Sequence, residues 1–341
     1  MSDAIKDTPS SVEEPYIGGR NCIIEALKRG NVPSEALKIC LASITDATIS
    51  QYNSSLHAWW KFCATNKLNV FTPTIPMVLK FLTHQFDSGS SYSTINTHRA
   101  ALSQILGPNL SEDFRIKRFF QGLRHLRPSQ PKYRSTWDPS VVLDYIKKLS
   151  SSSSSLQHLT YKTTMLLALA TGQRVQTLAS IDLGNLHIFP ERRDIHITKP
   201  LKTTHTSKTQ TTLVVPFFTE DADICPAKAV LSYLEETKTI RGNIKNLFIT
   251  FKKPYHPAST QTISRWLKTT LKLSGVDVSL FGAHSTRHAS TSSAARKGVH
   301  FDSIRLAAGW TEKSKMFAIF YNKPLTHNRL EFAHSVLSSI T

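Results

Sequence analysis

Three short stretches of this chain carry residue types suited to holding and attacking a phosphate. The first is Ala283-His284-Ser285-Thr286-Arg287-His288. His284 and Arg287 stand three apart at an expected helix start, so they share one face. Backbone N–H groups at such a start also favour an anion. An arginine offers a planar fork of donors, and a histidine a donor or a proton carrier. This spacing alone is common, and a solvated surface pair is its default reading.

The second stretch is Thr171-Gly172-Gln173-Arg174-Val175-Gln176-Thr177-Leu178, directly after an apolar helix. Gly172 allows a sharp turn. Arg174 is flanked by Val175 and Leu178, which are expected to be buried. An arginine beside buried residues needs a partner, either a carboxylate or a ligand phosphate. The third is Ala307-Ala308-Gly309-Trp310, followed by Phe317-Ala318-Ile319-Phe320-Tyr321-Asn322-Lys323-Pro324. In isolation Trp310 and Tyr321 read as core aromatics.

These stretches must be positioned by folded elements, and the pattern supplies them. Ile49, Tyr52, Leu56, Trp59, Trp60 and Cys63 recur at helical spacing. A second helical segment begins at Pro73 and Pro76 and carries Val78, Leu79, Phe81 and Leu82, a third runs from Tyr92 to Leu106, and a fourth from Phe114 to Leu126. A small helical domain is therefore expected over 41–127, after a poorly structured tail over 1–40 in which Ile23 to Ala26 form at most a short helix. Residues 128–136, with Pro128 and Pro131, read as a linker. The second domain, 137–341, is expected to hold helices over Val141–Leu149, Leu159–Thr171, Pro226–Thr237, Ser259–Leu273, His284–Arg296, Phe301–Ala308, Glu312–Tyr321 and His327–Ser339. Leu186–Ile197 and Leu213–Phe218 alternate like two strands of a hairpin, and Leu247–Thr250 like a third short strand. The fold class is mainly α with a small β-sheet.

Net charge is +18, from 42 Lys and Arg against 24 Asp and Glu. The first forty residues hold 5 basic and 6 acidic ones, so the rest carries 37 against 18, a net of +19. The excess belongs to the folded part and points to a polyanion, most commonly nucleic acid. No apolar run approaches the roughly 20 residues of a membrane helix, and no signal peptide is evident. The four cysteines, Cys22, Cys40, Cys63 and Cys225, are dispersed and read as free thiols rather than a disulfide framework or zinc site. Neither a phosphate-binding GxxxxGK[ST] loop nor a carboxylate cluster suited to magnesium is present, so no cofactor is expected.

Taken in order, TGxR, a lysine-bearing hairpin, HxxR, GW and Tyr form a pattern far more specific than its parts. It resembles the tyrosine recombinase family, over roughly residues 44–335 and most clearly from Ala168 onward. The wording "TGQRVQTLASIDL", "AHSTRHASTSSAARKGV" and "AAGWTEKSKMFAIFYNKP" looks most like recombinases of eukaryotic mobile elements of the DIRS and Crypton kinds. The resemblance implies a catalytic set of Arg174, Lys202, His284, Arg287, Trp310 and Tyr321, with Tyr321 as nucleophile. Lys199 and Lys208 compete with Lys202 for the lysine position. Thr177 stands where bacterial members often carry Glu, a position of structural weight. Trp310 sits where many members have histidine.

The same resemblance implies a C-shaped clamp on duplex DNA, a homotetramer assembled on that DNA, a nuclear location, and neither membrane nor small-molecule substrate. His98, Arg99 and Arg265 are candidate DNA contacts, each with a solvated-surface alternative. Two other functions compete with an active site-specific recombinase: a domesticated DNA-binding protein without catalysis, and a topoisomerase-like relaxing enzyme.

Overall fold

The structure is a computed structural model that describes residues 15–128, 133–151, 155–198 and 212–310, with Leu337. The chain divides into two compact units, Met1–Gln130 and Pro131–Thr341.

Unit 1 is helical: α1 (Gly19–Arg29), α2 (Ser34–Ala42), α3 (Asp46–Thr65), α4 (Ile75–Asp87), α5 (Tyr92–Leu106), α6 (Asn109–Glu112) and α7 (Phe114–Leu126). Local chemistry fixes several starts. Thr45 accepts from the Thr48 N–H at 3.3 Å and Ser91 from the Thr94 N–H at 3.2 Å. Such caps contribute about 1 kcal/mol each. The core is built from Leu56, Trp59, Phe81, Leu82, Ile95 and Leu102. Trp59 meets Phe81 edge-on and donates its indole N–H to the Val70 carbonyl at 3.0 Å.

Within residues 1–40, expected to be poorly structured with at most a short helix over Ile23 to Ala26, the chain instead forms α1 and most of α2. Cys22 and Ile23 are buried in the unit 1 core. Gly19, the first residue of α1, has a packing role. A Cβ on Gly19 would lie 3.1 Å from Asn53 Oδ1 and 3.2 Å from Asn53 Cα. Glycine therefore lets α1 approach α3, and the Gly19 N–H reaches Asn53 Oδ1 at 2.8 Å.

Unit 2 contains α8 (Pro139–Ser151), α9 (Leu156–Thr171), α10 (Val175–Ala179), α11 (Pro226–Thr237), α12 (Thr260–Leu273), α13 (Ser285–Arg296) and α14 (Phe301–Ala308). Helix α9 is central and buried on most of its surface. Its threonines remain satisfied because their hydroxyls donate to carbonyls. Thr160 reaches Leu156 O, Thr164 reaches Thr160 O and Thr171 reaches Leu167 O, at 2.6–2.7 Å.

The sheet has three antiparallel strands in sequential order, β1 (Leu186–Ile188), β2 (Arg192–His196) and β3 (Thr212–Pro216). Ile195 pairs with Leu213 and Arg193 with Val215. The expected strand over Leu186–Ile197 is split, because the chain turns at Phe189–Glu191. There the Phe189 N–H meets the Arg192 carbonyl at 3.0 Å, and Pro190 has no N–H to extend a ladder. Leu247–Thr250 is not a sheet strand; Ile249 forms only an isolated bridge with Pro257. The expected linker is also shorter at its far end. Tyr133 and Thr136 are buried in unit 2, at 5% and 0% exposure.

Candidate active site and nucleic-acid interface

Helix α9 delivers the first arginine. Gly172 ends the helix in the left-handed region, φ +58°, with its N–H on Ala168 O at 3.1 Å. That conformation is costly for any residue with a Cβ. The reversal places Arg174 at the N-cap of α10, half-buried. Among the described residues no carboxylate pairs with Arg174. Leu178 and Thr177 behind it are buried. Thr177 is thus a structural position.

Helix α13 carries the second pair. Its start differs from expectation in one respect. The chain enters through a tight turn in which the Ser285 N–H bonds Gly282 O at 2.8 Å and the Thr286 N–H bonds Ala283 O at 3.3 Å. Two of the N–H groups that could have held an anion are therefore used by the turn itself. His284 is the N-cap and is exposed; its ring lies 5.3 Å from that of His288. Arg287 is 1% exposed. Its Nη1 donates to the Gly172 carbonyl at 2.7 Å. Beside this bond, Ser290 Oγ donates to Leu169 O at 2.5 Å, and the Thr291 methyl lies against Gly172. The segment with HxxR is thus bolted directly to the end of α9.

Helix α14 brings the third element. Gly309, at φ +66°, caps it, and the Trp310 N–H returns to Arg305 O at 3.0 Å. The indole of Trp310 then lies under the Arg287 guanidinium, 4.6 Å from guanidinium carbon to ring centroid. Such a stacked cation is stabilised by the ring's negative face. Gln173 completes the junction by donating from Nε2 to Ala307 O at 2.6 Å. Arg174, Arg287 and Trp310 therefore stand on three elements that meet at the Gly172–Gln173 turn. Lys202, its alternatives Lys199 and Lys208, and Tyr321 lie outside the described residues.

Sequence reasoning missed Gln173, Ser285, Tyr133 and Trp137. Gln173 could have been suspected only from its place between two residues of interest. Tyr133 fell in a segment read as linker, and Trp137 at the margin of that segment.

Two basic surfaces are also formed. On α12, Arg265, Lys268 and Lys272 are exposed on one face, while Ile263, Trp266, Leu267 and Leu271 face the core. In unit 1 a cleft of about 340 Å³ is lined by Tyr92, Asn96, Arg99, Lys117, Gln121 and Arg124 among others. Arg99 is held there by Asn96 Oδ1 at 3.0–3.1 Å and Ser111 Oγ at 2.6 Å, and packs over Phe120. None of these partners is a carboxylate, so its charge is not neutralised by them. Arg124 donates to the Tyr92 hydroxyl at 3.0 Å. His98, named beside Arg99 as a DNA contact, is instead a core histidine. It is 7% exposed and meets Phe81 edge-on, and burial lowers its pKa. One residue along α5 from Arg99, its side chain is turned inward.

The model of the phage integrase family matches residues 141–326, more than half of the chain. The chain belongs to the phage integrase family. The matched segment contains Arg174, Lys202, His284, Arg287, Trp310 and Tyr321. No curated protein matches the chain. Among solved structures, it is similar to XerH site-specific recombinase bound to its difH substrate, with a TM-score of 0.59 and 16% identity over 97% of this chain and 91% of that one. The Tn1549 transposon integrase in complex with transposon right end DNA gives 0.56 and 14%, over 94% and 100%. A lambda integrase dimer bound to a COC′ core site gives 0.51 and 21%, over 89% and 96%. At these identities the likeness establishes the fold: the chain has the tyrosine recombinase architecture, mostly helical with one small antiparallel sheet.

Proposed function

We propose that this phage integrase family member is a site-specific recombinase that cuts and rejoins duplex DNA through a covalent 3′-phosphotyrosine. The observation that carries the proposal is the junction of Arg174, Arg287 and Trp310 around Gly172, in a chain with a net charge of +18. A phosphodiester is an anion and repels nucleophiles. When the Tyr321 oxygen attacks, charge grows on the non-bridging oxygens of five-coordinate phosphorus. Arg174 and Arg287, fixed in advance by backbone turns, meet that charge where it develops. Trp310 can only donate through its indole N–H.

As the tyrosyl O–P bond forms, the bond from phosphorus to the 5′-oxygen breaks. That oxygen leaves with a proton from Lys202. Tyrosine has a reference pKa of about 10, so its own proton needs an acceptor, and His284 is assigned that role. Reversal by a 5′-hydroxyl of another strand rejoins the backbone. The bond energy is kept throughout, so the reaction as proposed requires neither ATP nor a metal ion.

Arg265 with its α12 neighbours, and Arg99 in the unit 1 cleft, are assigned to the DNA backbone or bases. DNA as partner is supported by the recombinase structures above, which contain their DNA substrates. Exchange of four strands calls for a tetramer on DNA. The wording of the three motif stretches supports a eukaryotic mobile element as the setting, and hence the nucleus.

The test is covalent trapping. Nicked duplexes from a library that includes the ends of the parent element are incubated with the protein and resolved under denaturing conditions. The expected result is a protease-sensitive protein–DNA adduct that maps to Tyr321 and is abolished by Tyr321→Phe without loss of DNA binding. Tight, salt-sensitive binding with no adduct on any DNA would favour a non-catalytic DNA-binding protein instead.

A further inference from the structure

The first described residues of unit 2, Tyr133 to Trp137, lie against the turn that introduces α13. Trp137 is 5% exposed, and its indole N–H donates to Ser285 Oγ at 2.9 Å. Ser285, fully buried, donates its hydroxyl in turn to Gly282 O at 2.7 Å. A serine hydroxyl has one proton, so this chain has a fixed direction, from indole to hydroxyl to carbonyl. Tyr133 holds the other side of the same turn. Its ring stacks on Phe281, 5.9 Å between centroids, and meets His288 edge-on at 5.0 Å. Its hydroxyl accepts from the Gly282 N–H at 3.4 Å. Both backbone groups of Gly282 are thus engaged, one through Tyr133 and one through Ser285.

The turn so held carries His284 as the N-cap of α13, with no side-chain capping bond of its own. The backbone of 282–285 sets where its Cβ stands, and its ring lies 5.3 Å from that of His288. Arg287 follows one turn later and contacts Gly172 and Trp310. We propose that Trp137, acting through Ser285, is a positioning residue for the His284–Arg287 pair, with Tyr133 as the second support. This inference rests on the catalytic reading of that pair given above. Neither Trp137 nor Ser285 would touch the phosphate; each would act by fixing the backbone that aims the two side chains.

Trp137→Phe removes the N–H and keeps a buried ring, and Ser285→Ala removes the acceptor. Both are made in the full chain and tested on a nicked duplex that forms the adduct with the wild type. The readout is the single-turnover rate of adduct formation at saturating DNA, set beside the Kd for the same duplex and the Tm. A small displacement of a reacting group can cost up to about a hundredfold in rate, and a fall of about tenfold is expected here. Kd should stay within about twofold, since no direct DNA contact is removed. The double variant should be no slower than the slower single one, because both remove the same bond. If Trp137→Phe does not fold, Ser285→Ala decides alone.

Wild-type rates in both variants would overturn the inference while leaving the catalytic reading intact. A rate that falls only in step with lost DNA binding or lost folded protein would also overturn it, in favour of a purely structural contact. A wild-type protein that forms no adduct on any DNA would remove the catalytic reading and this inference together.

Discussion

Arg287 Nη1 and the carbonyl oxygen of Gly172 are 2.7 Å apart, although 115 residues separate them in sequence. The bond joins the HxxR helix to the last turn of α9, where the other arginine motif begins. It exists because Gly172 adopts φ +58°, which ends α9 and frees its carbonyl to face α13. One backbone conformation therefore sets the spacing between Arg174 and Arg287.

Gly172→Ala tests that conformation. A left-handed φ costs a residue with a Cβ roughly 1–2 kcal/mol. The new Cβ would also lie 3.4 Å from the Thr291 methyl carbon, an ordinary contact, so the strain is in the backbone and not in crowding. Urea unfolding should show a loss of about 1–2 kcal/mol. Adduct formation should fall further than that loss of folded protein explains, because a relaxed turn moves Arg174 away from Arg287. An unchanged urea midpoint would contradict the argument.

Arg287→Lys separates charge from geometry. A lysine keeps the positive charge but lacks the planar fork and the flat face that packs on Trp310. Loss of a preorganised donor to transition-state charge costs about a hundredfold or more in rate. Single-turnover adduct formation should fall by about that factor. Total DNA affinity should hardly change, since most affinity comes from the many other basic residues. A Lys variant with wild-type rate would show that charge alone suffices at this position.

The turn at Gly172 was legible because its signal is local, a glycine where the chain must reverse; the shared face expected of His284 and Arg287 was not, since the helix begins only at Ser285 and leaves His284 exposed at the N-cap while Arg287 is buried. The ends of α11 and α14 were legible for a similar reason, from Pro226 at one start and Gly309 just past the other end. The stretch before residue 40 misled, because a flexible segment and a close helix crossing such as that at Gly19 both call for glycine. Whether Gly19 faces Asn53 is a tertiary fact with no local signature. His98 misled for a related reason. Its neighbour Arg99 lines the basic cleft, and one residue of helix rotation, about 100°, decides which of the two faces the core. The partnership of Trp137 with Ser285 spans 148 residues, and no periodicity reports a contact of that kind.

Arg265→Gln addresses the interface on α12. Each phosphate contact neutralised by a basic residue releases counterions, and removing one contact lowers the slope of log K against log salt by about 1. Binding of the full chain to a duplex, measured from low to moderate salt, should show that decrease. If Arg265 instead reads a base edge, the slope should stay and discrimination between sites should relax. Arg265→Gln with an unchanged slope and unchanged discrimination would remove this side chain from the interface.

His98 makes the helical unit sensitive to acid. Burial against Phe81 lowers its pKa below the ordinary 6.5, so the folded state holds the ring neutral where the unfolded chain would protonate it. Below about pH 6.5 the unfolded state then binds more protons than the folded state. Stability falls as pH drops from that value towards the depressed pKa, and is fully present above it. His98→Leu removes the titration while keeping an apolar side chain on Phe81. Urea midpoints between pH 7.5 and about pH 5 should decline less steeply for the variant than for the wild type. The absolute midpoint carries no weight, because leucine changes the packing at every pH; the difference in slope is the test. Equal slopes would mean that the ring at position 98 is not desolvated, and would reopen it as a surface residue.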